Sequence, residues 1–401
     1  MSLMTFEDVR PWARMIKQRT GRREMPPWFI DKTLGIQRFK DDPSLSDEEI
    51  AMVAKWADSG APAGNPADMP PLRKFPDGTT WTIGTPDLII SSPLATIKAM
   101  APDRYFSLGS TPMGLTEDRL IKAVEIKEVR LTMDSTPLKG ALNLFSVHHS
   151  GVRTVLPGEY TPGAIRAEGG FHIVYELGQN ALIYPDDVAA RIRAGSELMF
   201  DNNHMHSIGT DIQVRLDVGF KFYPKGYTPK YILDDRTIIA STQDLDIPAG
   251  QSNIMKDAFY IMPQPGKLLS FEPHLHSSGK RMCVEVMYPD RTREVLNCAN
   301  YNHNWVKNYI YEDDAQPLLP KGTLLHVIGY YDNSPSNPQV VDPRNWKGWG
   351  QRSIDDMFIF SPRMLYLTEE QFAEEVAARE AKERAAHEAR RLSASSRTKS
   401  Q

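Results

Sequence analysis

From Ile212 to Phe222 the side chains alternate. Ile212, Val214, Leu216, Val218, Phe220 and Phe222 are apolar, and Gln213, Arg215, Asp217, Gly219 and Lys221 fall between them. Successive side chains on a strand point to opposite faces, so this predicts a strand with one buried and one wet face. Residues 284–288 and 324–328 show similar short apolar runs and are read as further strands. At the N-terminus the spacing becomes helical, with Val9, Trp12, Ala13 and Ile16 on one stripe. A second helix is predicted from Ser46. Glu49 completes a capping box, Leu45 and Ile50 form a staple, Ile50, Val53, Trp56 and Ala57 supply the apolar face, and Gly60 ends it. After Leu367, Thr368 and Gln371 form another capping box. The Ala/Glu/Arg-rich stretch that follows has few apolar residues beyond Phe372 and Val376. It predicts a solvated helix to about residue 391 and a disordered Ser-rich tail to Gln401. The competing reading of that helix is a partner-binding element.

Turn-forming residues divide these elements. Residues 61–78 are a Pro/Gly-rich linker and residues 223–229 a second boundary. The expected units are a helical segment 1–65, a β-sandwich 66–228, a β-sandwich 229–367, and a tail 368–401. The 30 prolines and 26 glycines suit a chain of short antiparallel strands and many turns. A net charge of −4 argues against a nucleic-acid partner. No apolar run approaches the ~18 residues of a membrane span, and Met1-Ser-Leu-Met-Thr5 has no basic-then-apolar leader pattern.

The chain has two cysteines, Cys283 and Cys298. A hairpin turning at Asp290-Arg291 sets them opposite each other, at the ~4.5–5.5 Å of cross-strand Cβ atoms. They are read either as a disulfide in an oxidising compartment or as two buried thiols.

The candidate chemistry lies in histidine. Six of the ten histidines fall in three tight groups: His148-His149, His204-Met-His206 and His274-Leu-His276. The last two both fit His-x-His-Ser-x-Gly. On a strand the His-x-His rings project to one face, roughly 7 Å apart, which suits two imidazoles converging on one metal ion. His148 and His149 are adjacent and face opposite ways on a regular strand, so both serve one ion only at a bulge or strand end. The competing assignment for that doublet is one core and one surface histidine. Imidazole suits zinc, copper, iron and nickel alike. The nearby carboxylates, Asp201 and Glu272, lie in no HExxH frame. His172, His303, His326 and His387 are isolated and read as structural or surface residues.

Several ordered motifs within about residues 76–366 resemble one known family. His274-Leu-His276, Asn300-Tyr-Asn-His-Asn-Trp305, Pro320-Lys-Gly-Thr323 and Tyr331-Asp-Asn-Ser-Pro-Ser-Asn-Pro338 resemble the C-terminal domain of type II copper, ascorbate-dependent monooxygenases. These include the peptidylglycine α-hydroxylating and dopamine β-monooxygenases. Upstream, Ser146-Val-His148-His149 resembles the family's His-His stretch. Leu198-Met-Phe-Asp-Asn-Asn-His204 with Gly209 resembles its single-histidine stretch, and Ile354-Asp-Asp-Met357 its methionine segment.

The resemblance implies a mainly β fold of two jelly-roll-like antiparallel β-sandwich domains, with a small N-terminal helical segment and a C-terminal helical tail. It implies two copper ions per chain. His148, His149 and His204 would hold an electron-storing ion, with His206 the alternative to His204. His274, His276 and Met357 would hold the ion that works with O2, and these three are the implied catalytic residues. Implied partners are O2, a small-molecule substrate and an external reductant such as ascorbate or another electron donor. In the peptide-amidating members an arginine two residues before the His-x-His pair holds the peptide carboxylate. Here that position is Glu272, which points to a neutral or cationic substrate. Residues 4–65, with Glu7-Asp-Val-Arg-Pro-Trp-Ala-Arg-Met-Ile-Lys17, resemble the latter part of a cytochrome c-like domain. The C-x-x-C-H motif is absent, so no covalent haem is expected on this chain. The relatives imply a periplasmic or secreted location. Two other readings stand beside this one. One is a non-catalytic copper-binding or electron-transfer protein on the same fold. The other is a metal-dependent hydrolase or non-haem iron oxygenase using one His-x-His pair with Glu272 or Asp201.

Overall fold

The computed structural model describes residues 3–69, 71, 80–138, 145–159, 172–176, 180–233, 239–241, 244–350, 352 and 354–398. The alternating run forms the strand Ile212–Phe222, the spine of the first sandwich. It pairs along most of its length with Arg119–Leu131 and, on its other edge, with Leu88–Ser91. Its burial alternates as the pattern predicts until Gly219, which is buried from the expected wet side. A Cβ there would lie 2.7 Å from the Trp81 ring, which covers that face. A second sheet, built on Glu197–Met205 and Val147–Val155, closes the core from the other side. Val152, Leu198 and Phe200 from it meet Val124, Val214 and Val218 from the first. Among the described strands of this sandwich, pairing is antiparallel except for Tyr231–Leu233, which runs parallel to Val188–Ile192.

The second sandwich has a four-stranded sheet, in order Ile254–Ile261, Leu324–Tyr331, Gly279–Met287 and Arg293–Asn300. Met282, Val284, Leu325 and Val327 project from it into a core shared with Phe271, Tyr309, Leu319 and Phe360. Both predicted strands here are longer than their apolar runs. Cys283 lies directly opposite Cys298, and the two form a disulfide on the other face of the sheet. The molecule is therefore mainly β and sandwich-like, with helices at its two ends.

Both ends depart from the sequence reading. The Ser46–Glu49 capping box is present in full and starts the helix Asp47–Asp58. Residues 22–46, however, contain no helix. They lie along the second sandwich, where Ile30 bridges to Ala299 and Phe39 to Tyr311, and both enter its core. Gly35, at φ +64°, permits that approach, since a Cβ would sit 2.0 Å from the Leu296 carbonyl oxygen. At the C-terminus the helix Glu369–Thr398 continues past residue 391, where disorder was expected; residues 399–401 lie outside the described residues. Its first turns are not merely solvated: Phe372 packs on the first core, Lys267 and Tyr231 donate to Glu375, and Arg379 donates to the Gln316 carbonyl at 2.6 Å. Among the described residues no helix is long and apolar enough to cross a membrane.

Candidate metal centre

His148 and His149 stand near the start of Val147–Val155, and His204 near the end of its neighbour Glu197–Met205. Between Asp201 and His204 the ladder slips: Asp201 pairs with Gly151 and His204 with His149, leaving an extra residue on the 197–205 strand. Asn202 takes a left-handed φ of 50° at this bulge. The next step, from His204 to Met205, skips His148 on the facing strand. These two compensating irregularities let adjacent histidines share one neighbourhood. Ring centroids are 4.9 Å apart for His148–His204, 5.4 Å for His149–His204 and 5.8 Å for His148–His149. Imidazoles bound to one ion through nitrogens about 2.0–2.1 Å away hold their centroids roughly 4.5–6.5 Å apart, so all three pairs have suitable spacing.

The second group sits on the other sandwich. His274 pairs with Ile359 in a short two-strand contact. The buried Asp356 carboxylate accepts from the backbone N–H of His276 at 2.9 Å, of Ser278 at 3.0 Å and of Met357 at 3.0 Å. One side chain therefore fastens the His-x-His turn to the backbone of Met357, and Met357 itself is buried. The His274 and His276 rings are 5.5 Å apart.

Hydrogen bonds fix several tautomers. A carbonyl only accepts, so His149 Nδ1–H donates to Asn202 O at 3.0 Å and His276 Nδ1–H to Arg352 O at 3.2 Å. Each neutral ring then keeps its Nε2 lone pair for a ligand. His204 is the reverse: Nε2–H donates to the Asp103 carboxylate at 3.0 Å, leaving Nδ1. Tyr105 stacks on His204 at 4.2 Å. Burial pushes the His148 and His276 pKa values down to about 4 and that of His149 to about 3, with neighbouring imidazoles adding to the effect for His148 and His149. Burial likewise lowers His204 against the pull of Asp103. These rings are neutral electron-pair donors at neutral pH, the form a metal requires.

His303, read from sequence as isolated, belongs here. Its ring lies 5.1 Å from His276 and 6.2 Å from His148, so it stands between the two groups. Asp103 was also missed, because nothing in the sequence links it to a histidine a hundred positions away. His206, whose Nδ1 lies 3.3 Å from Ser207 O, is close enough to His148 and His204 to act on them electrostatically. Asp201 is engaged by Arg153 at 3.0 Å. Glu272 is buried and lines a small pocket with Lys307, Asn308 and Arg363. His326 pairs with Asp257 at 3.0 Å, as a structural histidine would. Among the described residues, no group of three or more His, Cys, Asp or Glu side chains is already placed to hold a metal ion, and the histidine rings meet only in the pairwise spacings given above.

No protein-family profile matches the chain, and no curated protein matches it. Among solved structures it is similar to a chain of the cowpea mosaic virus top component, a naturally occurring empty particle, at 10% identity and a TM-score of 0.29, over 76% of this chain and 95% of that one. It is also similar to a chain of broad bean stain virus, at 7% identity and a TM-score of 0.23, over 64% and 91% respectively. A Penaeus vannamei nodavirus chain has 10% identity and a TM-score of 0.18, over 71% and 98%. Likeness this remote carries no argument about function.

Proposed function

We propose that this protein is a copper-dependent monooxygenase that hydroxylates a C–H bond of a small molecule, using O2 and an external reductant. The observation that carries the reading is the triangle of neutral imidazoles formed by half-buried His148 and His149 and buried His204. It faces a second imidazole pair on the other sandwich. The donor set is imidazole, with a thioether assigned at Met357 by resemblance, and this suits copper better than the oxygen-rich sites of magnesium or calcium. Copper at these groups supplies one-electron redox chemistry and O2 activation. The chain's own residues do the rest. Asn202, Arg352 and Asp103 set the ring tautomers, and Asp356 holds the His276 turn against Met357. Burial keeps the donors unprotonated. Overall, one O2, two electrons and two protons convert R–H into R–OH and water. Glu272, at the position where the peptide-amidating enzymes carry an arginine, points to a neutral or cationic substrate, and the Cys283–Cys298 disulfide supports an oxidising compartment.

Copper-loaded protein should consume O2 with ascorbate in the presence of neutral and amine substrates, and label from 18O2 should appear in the hydroxylated product. Copper binding without any 18O incorporation would instead favour a copper-holding or electron-transfer protein. Hydrolysis with zinc alone would favour the hydrolase reading, which Asp201 serves poorly while paired to Arg153.

A further inference from the structure

His303 occupies the segment that leaves the strand Arg293–Asn300. That segment is tied down on both sides of the histidine. Tyr301 N–H donates to Lys280 O at 2.8 Å, and the Tyr301 hydroxyl donates to the carbonyl of Leu275, the central residue of the His-x-His. Asn302 Oδ1 accepts from Gln339 Nε2 at 3.1 Å, and Trp305 N–H donates to Asn302 O at 2.9 Å. The backbone thus carries the His303 ring to a fixed place beside His276. There its Nδ1 is buried and has no hydrogen-bond partner. Buried polar atoms are nearly always paired, so an orphan of this kind needs a reason. A phenyl ring would fill the same space without one.

We propose that His303 is a sixth imidazole donor, its Nδ1 joining Nε2 of His276 on one transition-metal ion at the His274–His276 group. The 5.1 Å ring separation is that of two imidazoles sharing an ion. This rests on the copper reading above and deepens it. His303 adds a third imidazole to the second group through His276, whose ring lies 5.5 Å from His274 and 5.1 Å from His303, and the 6.2 Å approach of the same ring to His148 links the two groups.

The test is titration of metal-stripped full-length protein with Cu2+, followed by calorimetry and electron paramagnetic resonance, for the natural chain and for His303→Phe. The natural chain should bind two ions. His303→Phe, with its far-ultraviolet spectrum unchanged, should weaken one of them at least ~10-fold, since even an indirect ligand partner is worth that much. The other ion's spectrum should be unaltered. Should His303→Phe fail to fold, His303→Gln takes its place, and spin-echo modulation on the natural chain counts the imidazoles directly, with three required at each ion. Two ions bound alike in the natural and variant proteins, or only two imidazoles at the second ion, would overturn the role of His303 and leave the copper reading standing. A natural chain that binds no copper tightly would overturn both.

Discussion

Asp103 shows what a single side chain does for a site it does not itself line. Its carboxylate accepts from His204 Nε2–H and so points the Nδ1 lone pair of that ring away from itself. Asp103→Ala should leave the fold intact and lower copper affinity at the His148–His149–His204 group about 10- to 100-fold, measured by competition with a chelator of known affinity. Unchanged affinity would mean that His204 binds through Nε2 or not at all. At this scale the sequence was partly legible. The three histidine groups could be read directly, and so could the need for a bulge beneath the His148-His149 doublet, because alternation on a strand is strict. His303 and Asp103 could not be read as site residues. Each is a lone residue whose place depends on a loop and on distant strands. The one available signal for His303 was its position inside the Asn300–Trp305 motif.

The hairpin that carries Cys283 and Cys298 was the most legible element, since its turn residues and strand lengths put the cysteines in register. The bond closes a loop with a sequence separation of 15, worth about 3 kcal/mol by chain entropy. Replacing both cysteines by serine should lower stability by about that amount in denaturant melts, and reductant should do the same to the natural chain. Helix starts were equally legible, because Ser46 with Glu49 and Thr368 with Gln371 are local devices that need no tertiary context. Helix ends and roles were not. Helix Glu369–Thr398 is held by Glu375, which accepts from both Lys267 and Tyr231, the latter on a strand that pairs into the first sandwich although it follows the 228/229 boundary expected from sequence. Glu375→Ala should raise amide hydrogen exchange in the first turns of that helix, and unaltered exchange there would show that Phe372 packing alone suffices.

Across the whole molecule, the two sandwiches are bound together by segments that composition made look peripheral. Leu269, Leu365 and Leu367, from the second half, enter the first core. Residues 22–46 brace the second half, and Asp31 anchors them. Its carboxylate accepts from Thr33 Oγ1 at 2.6 Å and from Arg281 Nη2 at 2.7 Å, and its pKa falls from 3.8 to about 2 for those reasons. A folded pKa below the unfolded one adds stability that is present above about pH 4 and lost as pH falls towards 2. Asp31→Asn should therefore flatten the acid side of the stability profile between those values. An unchanged profile would assign that anchoring to Ile30 and Phe39 alone. The fold class could be read from strand alternation and turn density, whereas the bracing depended on contacts between residues hundreds of positions apart. The central claim is that copper sits at the histidine groups, and anomalous scattering at the copper edge from crystals of the copper-loaded chain tests it most directly. Two peaks are predicted, one ringed by His148, His149 and His204 and one beside His274 and His276 with the Met357 sulfur in reach; density peaks remote from these rings, or none, would contradict it.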